Sequence, residues 1–134
     1  MLTQINHIGI AVKSLEEHIP FYRDVMKMKF AGIEEVPEQK VKVAMFIIGE
    51  AKIELLEPTS DESPIAKYIE KKGEGIHHIS YQTDDINSEI KNIEDNELRM
   101  IDKTPRDGAH ETKIAFIHPK SSGRVLTELT EEKK

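Results

Sequence analysis

Cysteine and tryptophan are absent from this sequence of 134 residues, and aromatic side chains make up only 5% of it. Without cysteine the chain can form neither disulfides nor thiolate zinc sites, so any metal must be held by histidine, carboxylate or amide groups. Long apolar runs are absent too. The longest, VAMFII at residues 43–48, is far below the ~20 residues needed to cross a bilayer, so we predict no membrane-spanning segment.

An excess of positive charge is also lacking, because 19 Lys and Arg are set against 25 Asp and Glu, for a formal net charge of −6. Such a chain offers no diffuse field that attracts phosphate backbones, and we predict no nucleic-acid partner. The opening MLTQINHIGIAV has neither the basic region nor the long apolar core of a secretory signal. We therefore expect a soluble cytoplasmic protein that folds as a single domain over residues 1–134, with a disordered charged tail at residues 131–134.

The sequence repeats itself once. When INHIGIAVKSLEEHIPFY is set against IHHISYQTDDINSEIKNI at an offset of 71 residues, His7 falls on His78 and the apolar positions coincide. Each copy opens with an alternating apolar segment, which predicts a half-buried strand, and continues with an amphipathic helix. Ser14 and Glu17 form a capping box for the first helix, and Asp85 can cap the second.

Three further strands are predicted after each helix, at residues 29–36, 42–49 and 52–57 in the first copy and at residues 98–103, 113–118 and 124–130 in the second. Both copies therefore follow the order βαβββ, which predicts an α+β fold of two paired modules at about residues 1–60 and 75–130. Between them, a connecting helix is predicted at about residues 63–73, with Ser63 as its cap, Pro64 in its first turn and Gly73 at its exit. Pro20 lies within the first helix pattern and should kink that helix or displace its start, because proline has no N–H.

The repeat also places two carboxylates, Glu54 and Glu128, at equivalent points on the last strand of each copy. If the modules pair about a pseudo-twofold axis, these carboxylates and the two histidines meet in one cavity. Mixed imidazole and carboxylate ligation suits a divalent cation such as Co, Ni, Mn or Zn, with water completing octahedral coordination until a substrate displaces it. We therefore predict one divalent metal ion per active site, with His7, Glu54, His78 and Glu128 as its ligands.

The remaining histidines fit a ligand role less well. His77 points to the opposite face of its strand from His78, because successive side chains alternate. His18 falls on the polar side of its helix and His118 precedes a proline turn, so we interpret both as solvated or structural. His110 is a candidate for the mouth of the site.

Several segments resemble, in their order and spacing, those of the methylmalonyl-CoA epimerase family: HIGIAV, FYRDV, EEVPEQ, KIELLEP, SPIAKYIEKKGEGIHHI, GAH and FIHPKSSGRVLTEL. The likeness covers nearly the whole chain. It also implies membership of the wider vicinal oxygen chelate superfamily, which includes glyoxalase I, bleomycin resistance proteins and extradiol dioxygenases. The fold that the resemblance implies is a pair of βαβββ modules forming a curved mixed sheet around a metal-binding cavity, usually in a homodimer.

Residue by residue, the resemblance implies metal ligation by His7, His78 and Glu128, with Glu54 at a position where relatives have Gln or Glu. It also implies an acid/base role for Glu38, in the VPEQ segment. The implied activity is the interconversion of (R)- and (S)-methylmalonyl-CoA, so an acyl-CoA thioester is the expected partner. In this reaction a proton beside the thioester is removed and returned to the other face of a metal-stabilised enolate. Glu128 and Glu38 are the predicted bases, one for each face.

Three other functions use the same scaffold. Glyoxalase I (lactoylglutathione lyase) carries out similar enediolate chemistry on a glutathione hemithioacetal, and the metal ligands alone do not exclude it, although KIELLEP, HHI and GAH favour the epimerase. An extradiol dioxygenase needs iron held by two histidines and one carboxylate, so the additional Glu54 and the short chain argue against it. The non-enzymatic alternative is a small-molecule binding module without a metal, which the retention of all four ligand types disfavours.

Overall fold

The computed structural model describes residues 1–133, which form eight strands and three α-helices. The strands are β1 (Leu2–Ala11), β2 (Lys29–Val36), β3 (Val41–Ile48), β4 (Ala51–Pro58), β5 (Gly75–Thr83), β6 (Arg106–Gly108), β7 (Thr112–Ile117) and β8 (Thr127–Glu132). The helices are α1 (Leu15–Pro20), α2 (Pro64–Lys72) and α3 (Ile86–Asp95). This order confirms two consecutive βαβββ modules joined by α2.

Backbone hydrogen bonds join the strands in the order β2-β3-β4-β1-β5-β8-β7-β6. The pairs β1–β4 and β5–β8 are parallel, whereas β2–β3, β3–β4, β6–β7 and β7–β8 are antiparallel. The sheet is therefore mixed, and the predicted α+β class is confirmed. Among residues 1–133, no helix combines the length and the apolar character that a bilayer crossing requires.

The chain divides into two compact units, and the boundary falls within β1. We call residues 7–77 the N-terminal unit, and residues 1–6 together with residues 78 onward the C-terminal unit. Each has its own apolar core. In the N-terminal unit it consists of Val12, Leu15, Ile19, Ala44, Phe46 and Leu55, and in the C-terminal unit of Ile86, Ile90, Met100, Ala115, Ile117 and Leu129. The interpretation of the two modules as one domain stays a prediction.

The predicted helix caps are confirmed. The Ser14 hydroxyl accepts a hydrogen bond from the Glu17 N–H at 3.4 Å, and the Ser63 hydroxyl accepts one from the Ile65 N–H at 3.1 Å. At α3, the Asp85 carboxylate accepts the Ser88 N–H at 3.1 Å. These bonds satisfy backbone donors that have no partner inside the helix. Gly73 ends α2 with a φ of 79°, a left-handed value that glycine adopts without steric cost.

Pro20 ends α1, and residues Phe21–Val25 continue it as a π-helix. Since Pro20 has no N–H to give to the preceding turn, the α-helical pattern of hydrogen bonds stops there. Farther on, the Met26 N–H donates to the Phe21 carbonyl at 2.8 Å, five residues back. The expected disturbance is thus confirmed as a change of helix type.

Two expectations about the second module are wrong. Residues 98–103 form no strand, and only Met100 makes an isolated bridge, with Ile117. The Asp102 carboxylate accepts the Phe116 N–H at 2.9 Å, so a side chain takes the place of a strand carbonyl, and the strand beside β7 is the short β6 instead. The charged tail is ordered as far as Glu132 in β8, because Glu131 accepts the Ile86 N–H at the start of α3 at 2.8 Å. The last residue of that tail, 134, lies outside the described residues.

Candidate metal centre

A histidine and a glutamate face each other in the N-terminal unit. His7 lies on β1 and Glu54 on β4, where the parallel register pairs Gly9 with Glu54. Both side chains are buried, with relative exposures of 5% and 6% for the residues, and His7 Nδ1 lies 3.4 Å from Glu54 Oε2. The strand pairing therefore brings the first His–Glu pair predicted from the repeat into contact.

The C-terminal unit repeats this arrangement. His78 lies on β5 and Glu128 on β8, where the parallel register pairs Ser80 with Glu128. The residues are 5% and 3% exposed, and His78 Nε2 lies 3.8 Å from Glu128 Oε1. The Phe116 ring meets the His78 ring edge to face, with 5.3 Å between the ring centroids. This aromatic contact fixes the orientation of the imidazole.

Within each unit, the spacing of the histidine nitrogen and the glutamate oxygen suits two ligands of one metal ion. Donor atoms bound to one ion at about 2.1 Å would lie roughly 3.0 Å apart when cis and roughly 4.2 Å apart when trans in octahedral coordination. The 3.4 Å in the His7–Glu54 pair and the 3.8 Å in the His78–Glu128 pair are compatible with that geometry, so each pair fits a divalent ion.

The burial of these groups supports the same fit. An ionised carboxylate is costly to bury without a compensating positive charge, and here Glu54 and Glu128 are both almost inaccessible to solvent. A divalent cation would balance two carboxylates while neutral imidazoles supply nitrogen donors. The arrangement suits Lewis-acid chemistry on a substrate that brings oxygen ligands.

The roles predicted for the site residues stay predictions. His7, Glu54, His78 and Glu128 are the predicted ligands, and all four residues are buried. Glu38 lies in a 3-10 turn, Pro37–Gln39, and its side chain is exposed. Glu38 thus differs from the four predicted ligands in its exposure, and its acid/base role also stays a prediction.

The other histidines occupy different settings. His77, next to His78, packs its ring edge to face against Tyr68 of α2 at 4.9 Å. His18 Nε2 lies 3.0 Å from the Glu74 carboxylate on the surface. His118 caps a 3-10 turn, its Nδ1 accepting the Lys120 N–H at 3.1 Å, which agrees with the expected structural role. His110 lies in the turn between β6 and β7, with a φ of 56°.

Two polar residues beside Glu128 have no counterpart in the sequence predictions. Ser80 and Thr130 are completely buried on the strands that carry His78 and Glu128, and the Thr130 hydroxyl donates to Glu128 Oε1 at 3.2 Å. Serine and threonine are common on half-exposed strand faces, so residue type alone does not mark these two. Their positions two residues after His78 and Glu128 were the available signal, because side chains two apart share a strand face.

Comparison with known proteins places this geometry in a family. A family model described as the Glyoxalase/Bleomycin resistance protein/Dioxygenase superfamily matches residues 6–116. An uncharacterised protein of Bacillus subtilis (strain 168) is 42% identical over 132 residues, which are 98% of this chain and 94% of that protein.

Relatives with a stated activity match over a similar length. The ethylmalonyl-CoA/methylmalonyl-CoA epimerase of Cereibacter sphaeroides is 34% identical over 96% of this chain and 98% of that protein. A solved structure of Streptomyces coelicolor methylmalonyl-CoA epimerase, a glutamate-to-glutamine variant in complex with 2-nitronate-propionyl-CoA, is 37% identical. The two structures superpose over 100% of both chains with a TM-score of 0.96.

Proposed function

Because the chain belongs to the glyoxalase/bleomycin resistance protein/dioxygenase superfamily and, within it, to the methylmalonyl-CoA epimerases, we propose that it interconverts (R)- and (S)-methylmalonyl-CoA. The observation that carries the proposal is the presence of one buried His–Glu pair in each unit of a chain that is similar to epimerases over nearly its whole length. The reaction moves the proton on the carbon beside the thioester.

The chemistry of that carbon explains why such a site is useful. The carbon lies between a thioester and a carboxylate. Loss of its proton leaves a planar enolate whose charge develops on oxygen. A proton returned to the opposite face gives the other epimer. The ligand of the Streptomyces coelicolor structure carries a nitronate, which is planar and anionic like this deprotonated substrate, and its presence in a similar protein supports the proposal.

The four buried residues would hold the cation, with His7 and His78 as nitrogen donors and Glu128 and Glu54 as oxygen donors. A divalent ion, when bound, would supply positive charge beside the oxygens on which the enolate charge develops. Co, Ni, Mn and Zn all accept such a mixed ligand set. The burial of these side chains excludes bulk water, which strengthens the electrostatic interactions of the site.

Proton transfer to and from two faces requires two groups or one mobile group. We assign one face to Glu128, which is buried, and the other to Glu38, on the turn that follows β2. A carboxylate is a weak base, so each would act only on a carbon acid whose enolate is already stabilised.

The homodimer, which the family resemblance implies, belongs to the proposal as well, and the cytoplasmic location stays a prediction. Glyoxalase I is not favoured, since the relatives with a stated activity are epimerases and the glyoxalase name enters only at the level of the superfamily.

A direct assay compares two substrates on protein loaded with Co²⁺. We expect inversion of one methylmalonyl-CoA epimer, followed with a coupling enzyme that accepts only the other epimer. Isomerisation of the glutathione hemithioacetal of methylglyoxal should be slow or absent. A higher kcat/KM for the hemithioacetal would overturn the proposed function in favour of glyoxalase I.

A further inference from the structure

Two buried hydroxyl residues lie beside Glu128, on the face of the sheet that carries the His78–Glu128 pair. Ser80 lies two residues after His78 on β5, and Thr130 lies two residues after Glu128 on β8, so all four side chains share one face. Both hydroxyl residues are 0% exposed. The Thr130 hydroxyl donates to Glu128 Oε1 at 3.2 Å, and the Ser80 and Thr130 hydroxyls are hydrogen-bonded to each other.

The direction of this chain of hydrogen bonds follows from counting hydrogens. A hydroxyl has one hydrogen to donate and can accept at its lone pairs. Since Thr130 donates its hydrogen to Glu128, the bond between the two hydroxyls must have Ser80 as its donor. Ser80 therefore polarises Thr130, and Thr130 holds one oxygen of the carboxylate.

The first copy of the repeat has no hydroxyl at the positions equivalent to Ser80 and Thr130. The residue two after His7 is Gly9, and the residue two after Glu54 is Leu56. The strands are nevertheless arranged alike in the two units. The two glutamates are thus equivalent in the repeat but differ in the residue two positions farther along the strand.

Packing alone does not require the hydroxyls. Alanine and valine would fill nearly the same space, and a buried hydroxyl is tolerated only when its hydrogen bonds are made. Hydrogen bonds from neighbouring residues to a metal-binding carboxylate fix its orientation, and their loss typically weakens metal binding or activity by 10- to 100-fold.

We propose that Thr130, and Ser80 through it, are positioning residues that hold the Glu128 carboxylate in the orientation needed to bind the divalent ion. This inference rests on the metal centre of the proposed function.

The test measures the dissociation constant of Co²⁺, from the visible absorption of the bound ion, in the full-length protein. Thr130→Val should raise this constant by about 10- to 100-fold. Thr130→Ser, which keeps the hydroxyl, should restore most of the affinity. Ser80→Ala should have a smaller effect than Thr130→Val, and it should have no further effect in the Thr130→Val background, because it acts only through Thr130.

Thr112→Val is the matched control. Thr112 is a buried threonine on β7 whose hydroxyl donates to the Ala109 carbonyl at 2.8 Å, away from Glu128. Loss of the Thr112 hydroxyl should lower the melting temperature of the metal-free protein but leave the Co²⁺ affinity unchanged.

An unchanged Co²⁺ affinity in Thr130→Val, or an equal loss in Thr130→Ser, would overturn the inference, since the hydroxyl would then serve stability alone. Should Thr130→Val fail to fold, Ser80→Ala decides, and an affinity equal to that of the wild type counts against the inference. A wild-type protein that binds no stoichiometric Co²⁺ would overturn the proposed metal centre and this inference together. Wild-type binding with unaffected variants would overturn the inference alone.

Discussion

At the scale of single residues, the environment of Glu38 differs from that of the proposed ligands. Its carboxylate is exposed on the Pro37–Gln39 turn, whereas Glu54 and Glu128 are buried. Exposure leaves the Glu38 carboxylate in contact with solvent, with which a base must exchange its proton. Burial holds Glu54 and Glu128 in place, which suits metal binding, and Glu128 is also the proposed base for the other face.

We therefore expect Glu38→Gln to keep the metal and lose most turnover. The amide has the same shape but cannot accept the proton, and removal of a general base typically costs 10²- to 10⁴-fold in rate. Metal analysis and steady-state kinetics of the same preparation check this. Glu35→Gln, an exposed glutamate on β2, is the matched control and should retain full activity. Full activity in Glu38→Gln would remove Glu38 from the mechanism.

The sequence predicted the buried His–Glu pairs but not the groups around them. His7, Glu54, His78 and Glu128 were found because the repeat aligns unusual residue types on otherwise apolar strands. Ser80 and Thr130 escaped notice, since a small polar residue on a strand is compatible with either face. Only the structure shows that both are fully buried against Glu128.

At the scale of elements, Glu74 connects two helices. It follows the end of α2 and is hydrogen-bonded to α1 and to the residues just before it. Its carboxylate accepts the Lys13 N–H at 2.7 Å and lies 3.0 Å from His18 Nε2. The Lys13 N–H, followed by His18, lowers the pKa of Glu74 below its ordinary value of 4.5. A carboxylate whose pKa is lower in the folded state stabilises the fold above its unfolded pKa, and this contribution is lost as the pH falls through the folded pKa.

Glu74→Gln should therefore lower the melting temperature at neutral pH, and the gap to the wild type should shrink as the pH falls below about 4.5. The effect is expected to be modest because the group is partly exposed to solvent. Melting curves recorded from neutral to acid pH test this, with the exposed Glu70→Gln on α2 as a control that shows no such change. A gap that stays constant or widens in acid would show that these hydrogen bonds to Glu74 do not stabilise the fold as described.

Helices and strands could be predicted from the sequence where residues close in sequence determine them. Ser14, Ser63 and Asp85 cap their helices as expected, because capping depends on residues close in sequence. The strand predicted at residues 98–103 does not form because the Asp102 side chain, rather than a strand carbonyl, accepts the Phe116 N–H. This contact joins residues far apart in sequence. The contact between β8 and the start of α3, which Glu131 makes, was missed for the same reason.

At the scale of the whole molecule, the duplicated βαβββ module explains why this short chain contains two equivalent His–Glu pairs. Each copy supplies one histidine from its first strand and one glutamate from its last, in the same parallel register. The repeat could be read from the sequence, and so could the fold class. The hydrogen bonds that join Ser80, Thr130 and Glu128 could not, because a sequence does not show which side chains meet.

The central claim is that a divalent ion held by these residues enables removal of the proton beside the thioester. Exchange of that hydrogen for deuterium from D₂O, followed by mass spectrometry of methylmalonyl-CoA, tests it most directly. We expect exchange with the Co²⁺-loaded protein, none after chelation, and recovery on reloading. His78→Ala should lose both metal and exchange, whereas the adjacent His77→Ala should keep both. Exchange at the full rate in the chelated protein, or in His78→Ala without bound metal, would contradict the account.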